Sequence, residues 1–401
     1  MPELAQRLAA APVAATVAMT IRARALRAAG AEVISLTIGE PDFATPRHAI
    51  EAGYKAALAG QTKYPPQDGT PALKEAVQRK FRRENGLDFA LDQIMVGNGG
   101  KQVIYDAVMA TVDAGDEVVI PRPCWTAYPL MTKLAGAVPV AVNCPENNGF
   151  KLRAEDLEAA ITERTKLLVL NLPNNPTGAA CTKAELEEIA AVIRAHPRVW
   201  VIADDMYEHL VYDEDFALVT LAAAAPDLAE RIVTVSGVSK TYAMTGWRIG
   251  FAGGPRALIK AMVNMQGQVT AGVSTVGQAA AAAALDGPQE LVAERRAIYR
   301  RRRDLVVKML NEAPGITCRK PEGAFYVYPN ISGCIGRKSA GGRLIETDQD
   351  FAMALLEEQH VATVHGAGFG MSPYLRISYA TDEAALTEAC RRIAAFTAGL
   401  H

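Results

Sequence analysis

The chain reads as an α/β protein: a mostly parallel sheet covered by helices on both faces, followed by a smaller α+β unit. Three observations predict this. Short apolar runs recur at residues 94–96, 117–120, 138–142, 166–170, 199–203, 232–235 and 249–252. Segments of helical length separate most of them, as crossovers between parallel strands require. Past residue 290 the pattern changes to one long arginine-rich helix with a few further strands.

Taken in order, residues 16–29 have a helical pattern that stops at Gly30, a residue suited to a helix C-terminus. Residues 33–36 form a short strand leading into Thr37-Ile38-Gly39-Glu40-Pro41-Asp42. Thr45-Pro46 opens a helix ending near Gly60, with threonine as cap and proline in the first turn. Thr70-Pro71 repeats the device for a helix through Glu84, and the seven apolar strands follow. The alanine run 279–284 is too short to span a membrane and reads as a tightly packed helix. Residues 291–311 form the long helix, 324–328, 361–364 and 374–379 read as strands, and 348–358 and 383–396 as helices. The glycine- and charge-rich stretch 332–347 reads as a surface loop.

Composition narrows the function. With 401 residues, 50% of them hydrophobic, the chain supports a large core and two domains. A formal net charge of −2 offers no basic excess for nucleic acid or an anionic membrane. Six cysteines without a C-x-x-C pair argue against a zinc site or a disulfide framework and suit a reducing cytoplasm. Residues 1–18 lack the long apolar run of a signal peptide.

The segment Ser236-Gly237-Val238-Ser239-Lys240-Thr241-Tyr242-Ala243-Met244-Thr245-Gly246-Trp247-Arg248 is the most informative. Lys240 has few charged neighbours, so its amine loses a proton more readily than a solvated one and can form a Schiff base with an aldehyde. Arg248 stays charged and suits a phosphate. An aldehyde that also carries a phosphate describes pyridoxal 5′-phosphate (PLP). Gly97-Asn98-Gly99-Gly100-Lys101-Gln102 follows a strand and opens a helix, so its backbone N–H groups can meet an anion; a plain strand–helix turn has the same look. Trp125 follows the next strand, where an indole can stack on a flat ring or simply fill core. Asn171-Leu172-Pro173-Asn174-Asn175-Pro176-Thr177-Gly178 holds Asn175 at a sheet edge, its amide free to donate to a phenolate oxygen. In Asp204-Asp205-Met206-Tyr207-Glu208 a strand ends in a carboxylate: Asp204 can pair with a protonated pyridine nitrogen, Tyr207 can donate to the ring oxygen, and Asp205 reads as a solvated or capping partner.

In this order the segments resemble the class I/II aminotransferases of PLP fold type I, over residues 16–396. Asn175-Pro176-Thr177-Gly178 together with Ser239-Lys240 and Gly246-Trp247-Arg248 carries the resemblance, and residues 36–42, 98–102, 236–250 and 364–380 are most similar to the bacterial aspartate and aspartate/prephenate enzymes. The resemblance implies a large PLP-binding domain at 46–286 and a small domain built from 1–45 and 287–401. It implies that Lys240 is the Schiff-base lysine and the base at the substrate α-carbon. Asp204 would hold the pyridinium, Asn175 and Tyr207 the ring oxygen, and Trp125 the ring face. Arg248 with Gly99, Gly100 and Lys101 would hold the phosphate. Arg376 would bind the substrate α-carboxylate and Gly39 would touch substrate through its backbone. Tyr64 would reach the phosphate of a neighbouring subunit in a homodimer. Lys101, helped by Thr16, would take a second carboxylate; a helix-terminal lysine facing phosphate or solvent is the plainer reading.

One position departs from the pattern. Many relatives place a phosphate-binding serine where this chain has Gly237, leaving Ser239 or Ser236 as substitutes. The implied reaction is a ping-pong transfer of an amino group from an L-amino acid, L-aspartate first, to 2-oxoglutarate through the pyridoxal and pyridoxamine forms. Alternatives on the same fold are an aminotransferase for aromatic or neutral amino acids or prephenate, and a PLP lyase. A ligand-sensing half of a transcription regulator would need a DNA-binding segment, and residues 1–15 are too short for one. A nicotinamide dehydrogenase would need a G-x-G-x-x-G after a strand with an acidic residue about 20 positions later, and none fits.

Overall fold

The computed structural model describes residues 5, 14–213, 216 and 219–401. Helix α1 (Ala15–Ala28) ends where the glycine signal puts it: Gly30 sits at φ 96° and its N–H reaches the Arg27 carbonyl. Strand β1 (Ile34–Ser35) follows, then helices α2 (Arg47–Leu58) and α3 (Pro71–Lys80). The seven apolar runs become β2 (Ile94–Gly97), β3 (Glu117–Arg122), β4 (Val138–Asn143), β5 (Thr165–Asn171), β6 (Trp200–Asp204), β7 (Ile232–Gly237) and β8 (Gly250–Gly253). They form one sheet in the order β2-β8-β7-β6-β5-β3-β4. Only β8 runs antiparallel to its neighbours.

Alternation along the strands builds the layers, because successive side chains of a strand leave on opposite faces. Val118, Ile120, Leu167, Val169 and Ile202 pack on one face against α4 (Gly100–Thr111), α5 (Ala127–Leu134) and α9 (Arg256–Val269). Their neighbours Val119, Leu168, Leu170, Val201 and Ala203 pack on the other against α6 (Ala154–Ala160), α7 (Lys183–Ala195) and α8 (Leu221–Ala224). At the β2–β8 edge that second face is covered by α2, α3 and α10 (Thr275–Asp286), whose alanines let the helices approach closely. Burial on both sides is why these strands read as unbroken apolar runs; the edge strand β4, mostly exposed or half-buried, is the exception.

The C-terminal part comprises α11 (Glu290–Asn311), β9 (Tyr326–Val327), β10 (Val361–Ala362), β11 (Val364–His365), β12 (Leu375–Ser378), and helices α12 (Asp348–Gln359) and α13 (Glu383–Ala398). Here β1 pairs in parallel with β10, and Met19, Ala23, Val33 and Leu36 share an apolar cluster with Phe351, Leu355, Ile377 and Ile393. Helix α1 and β1 therefore pack with the C-terminal part of the chain, more than 300 positions on.

Four local expectations change. Thr45 does not cap α2: Pro46 holds the N-cap position, and the Thr45 hydroxyl donates to the Ala243 carbonyl at 2.9 Å. The helix after Thr70 runs regularly only to Lys80 and closes in a wider turn, Phe81–Asn85, and the Thr70 side chain makes no cap bond. Residues 361–364 are two short strands in different sheets. The stretch 332–347 is anchored, with Ile345 and Ser339 buried and the Ser339 hydroxyl donating to Glu358 at 2.5 Å.

Candidate active site

Register brings the site together. Asn171 at the end of β5 pairs with Asp204 at the end of β6, and Asp204 with Val235 on β7. The segments that follow, to Asn175, Tyr207 and Lys240, leave the carboxyl edge of the sheet together, where open α/β sheets bind ligands. The N-terminus of α4 arrives at the same edge. Between these ends and the C-terminal part lies a cavity of about 540 Å³.

Of the residues singled out in the sequence, Lys240, Asp204, Tyr207, Asn175, Trp125, Gly100, Lys101, Arg248, Gly39, Arg376 and Thr16 all line it. Gly99 stands behind its wall at φ 78°, and a Cβ there would come within 2.5 Å of the Arg248 guanidinium. Tyr64 does not line it; the residue is 94% exposed.

The Lys240 ammonium donates to the Gly39 carbonyl at 2.6 Å. Desolvation, helped by the nearby Arg376 guanidinium, lowers its pKa from 10.5 to about 8. Asp204 is buried, which pushes its carboxyl up; the Tyr128 hydroxyl at 2.5 Å and the Met206 N–H at 3.2 Å pull it back. Burial raises the Tyr207 phenol well above its ordinary range, and its oxygen lies 2.8 Å from that of Tyr326. Arg376 is buried against the rings of Tyr326 and Phe369. It donates to Asn175 Oδ1 at 3.1 Å and to the Thr37 carbonyl, while its Nε has no partner among the described residues. With Oδ1 so engaged, the Asn175 amide nitrogen is left as a donor.

At the other end, α4 presents the N–H groups of its first turn, which no helix carbonyl can take. Arg248 lies beside them, its guanidinium bonded to the Thr245 carbonyl at 2.9 Å, and it holds a left-handed φ of 57°. Lys101 lies with its ammonium 5.1 Å from the Trp125 ring, and burial together with Arg248 lowers its pKa. The two serines part company. Ser239 lines the cavity, whereas Ser236 donates to Glu208 at 2.6 Å and is turned away from it. A Cβ at Gly237 would sit 3.0 Å from the Ile249 carbonyl, so the sheet itself favours glycine there.

Asp205 corrects the sequence reading. It is neither solvated nor a cap: it is buried, with one carboxylate oxygen unpartnered among the described residues. Burial, with Glu208 and Asp204 nearby, raises its pKa well above the usual carboxylate range. Behind the cavity wall lies a second polar cluster. Lys80 pairs with Glu208, Asn85 donates to Glu208 at 2.7 Å, and His209 bridges Glu84 at 2.8 Å and Thr241 at 2.9 Å. Sequence reasoning also missed Tyr326, whose hydroxyl fills the space that a Cβ at Gly39 would need. No local pattern marked it. Tyr128 had a faint signal, three residues past Trp125 at the head of a helix.

Comparison with known proteins fits this geometry. The family model described as aminotransferase class I and II matches residues 31–393. The chain belongs to that family. The aminotransferase is 55% identical over 400 residues to an aspartate/prephenate aminotransferase of Cereibacter sphaeroides, covering 100% of both chains. Its backbone superposes on an aspartate aminotransferase of Rhizobium meliloti with a TM-score of 0.97 at 49% identity, again over 100% of each chain. It superposes on an aspartate aminotransferase of Thermus thermophilus with maleate at a TM-score of 0.90 and 40% identity, covering 99% of this chain and 100% of that one. The fold is therefore PLP transferase fold type I, as the sequence implied.

Proposed function

We propose that this aminotransferase moves the amino group of L-aspartate to 2-oxoglutarate, using PLP held by Lys240. The observation that carries the reading is the convergence on one cavity of a lysine with a lowered pKa, a buried carboxylate and a buried arginine.

The residues present fit the cofactor. The backbone at Gly99, Gly100 and Lys101, with Arg248 and Ser239, forms an anion cradle for the phosphate. All four residues that would serve the ring line the cavity: Trp125 would flank it, Asn175 and Tyr207 would donate to its oxygen, and Asp204 would pair with its nitrogen. When bound, PLP supplies an electron sink for the charge left on the substrate α-carbon. Lys240, whose lowered pKa makes its uncharged amine more available than that of an ordinary lysine, would take that proton as base and give it back as acid. Arg376, which lines the cavity, grips the α-carboxylate, a bidentate task suited to guanidinium. Gly39 borders the substrate through its backbone. Lys101, with Thr16 nearby, takes the distal carboxylate; the maleate in the name of the Thermus structure, itself a dicarboxylate, supports this. The name of the Cereibacter relative supports prephenate as a second substrate.

In purified protein with added PLP, L-aspartate should shift the visible absorbance of the cofactor, and Lys240→Ala should cut transamination by at least about 10³-fold. Robust turnover by that variant without an added amine defeats the assignment.

The working form we infer is a homodimer, in the cytoplasm. Helix α2 exposes Ile50, Tyr54 and Leu58 on one stripe, at 44%, 65% and 70%, and Tyr64, six positions after Leu58, is exposed as well. Such a patch suits a second copy whose cavity Tyr64 enters. Six free, buried cysteines suit a reducing compartment. Among the described residues no helix is long and apolar enough to cross a membrane. Sedimentation should give twice the subunit mass; a monomer with full activity would remove the role of Tyr64. The large unit at 46–286 and the small one at 1–45 with 287–401 are proposed as the two domains of each subunit.

A further inference from the structure

Asp204 does not act alone in this cavity. Tyr128, on the first turn of α5, is 2% exposed, and its hydroxyl lies 2.5 Å from Asp204 Oδ2. The other carboxylate oxygen, Oδ1, accepts the Met206 N–H at 3.2 Å. Each oxygen thus has one fixed donor, which sets the plane of the carboxylate and leaves its remaining lone pairs to the cavity. The Tyr128 ring is itself held edge-on against Trp125, centroids 5.4 Å apart. Burial, with Asp204, Cys124 and Tyr207 around it, keeps the phenol protonated through the whole working range, so it is always the donor. A donor of this kind favours the charged form of its acceptor. That matters because burial works the other way on Asp204, and Lys240 gives only distant help.

We propose that Tyr128 is a positioning residue of the cofactor site: its buried hydroxyl keeps the Asp204 carboxylate ionised and aimed at the ring nitrogen of PLP. The inference rests on the PLP reading above. Without the hydroxyl the carboxyl gains proton affinity, and the proton shared by carboxylate and ring nitrogen moves toward Asp204. The ring then withdraws electrons less well. Nothing in this requires Tyr128 to touch substrate.

Tyr128→Phe removes one oxygen and keeps the ring that packs on Trp125. Wild type, Tyr128→Phe, Asp204→Asn and the double variant are titrated with PLP by absorbance, and the ring nitrogen is read by NMR with ¹⁵N-labelled cofactor. Tyr128→Phe should weaken PLP by about 10-fold, the size of a lost hydrogen bond to a charged group. Its ¹⁵N signal should move toward that of unprotonated pyridine. In the Asp204→Asn background the same substitution should change affinity less than about twofold, because residues acting through one another are not additive. An unmoved ¹⁵N signal, or an equal loss of affinity in both backgrounds, overturns the inference while leaving the PLP reading intact. A wild-type protein that takes up no PLP overturns both.

Discussion

Asp204 and Asp205 are consecutive, and so are Tyr207 and Glu208, and Lys240 and Thr241; in each pair one residue serves the cavity and its neighbour lies behind it. In the cavity, polar groups are left partly unsatisfied: among the described residues neither Arg376 Nε nor the Asn175 amide nitrogen has a partner. Behind it, Lys80, Glu84, Asn85, Glu208, His209 and Ser236 close most of their bonds on one another. Charge alone does not separate a functional cluster from a structural one. Unmet hydrogen-bonding capacity does so only together with a place on the cavity wall: Asp205 also keeps an unpartnered oxygen among the described residues but does not line the cavity, where a ligand could complete it.

The sharpest way to break this comparison is a pair of truncations. Glu208→Ala leaves the buried Lys80 ammonium without its main partner and should cost about 3–5 kcal/mol in chemical denaturation. Lys240→Ala removes a desolvated amine and should leave stability unchanged or slightly raised. Equal losses for the two would erase the distinction between front and back.

A second test uses pH. Below about 8 the Lys240 amine is protonated and unreactive, and above it the free amine is available. Labelling of cofactor-free protein by an amine-specific reagent, followed at Lys240 by mass spectrometry, should therefore rise with a midpoint near 8. A midpoint near that of a free lysine side chain, about 10.4, would mean that the cavity does not tune its lysine.

The smallest effect sharpens the cavity side alone. Lys101→Ser should raise KM for L-aspartate by about 10-fold, as for one lost charged contact, and leave L-tyrosine within about twofold. Parallel changes for both substrates would return Lys101 to the phosphate end of the site.

The sheet was legible because its strands, the half-exposed edge strand β4 excepted, are buried on both faces; all seven show as apolar runs within a residue or two of their observed bounds. The site was legible because its residues follow strand ends in compact motifs such as 171–178 and 236–248. Asp205 was misread because a strand-ending Asp-Asp pair carries no mark of which carboxylate the next layer will cover. Thr45 was misread because its hydroxyl finds the Ala243 carbonyl, 198 residues on, instead of its own helix. Tyr326 was invisible because only β9 pairing with β12 brings it to Arg376.

The succession of strands and helices and the family could be read from the chain without coordinates, because each is written in periodicity or in neighbouring residues. The tertiary structure alone decided which way each polar side chain faces, which groups meet across long separations, and which donors stay free. Those follow from burial and distance, and neither is a property of any short stretch of chain.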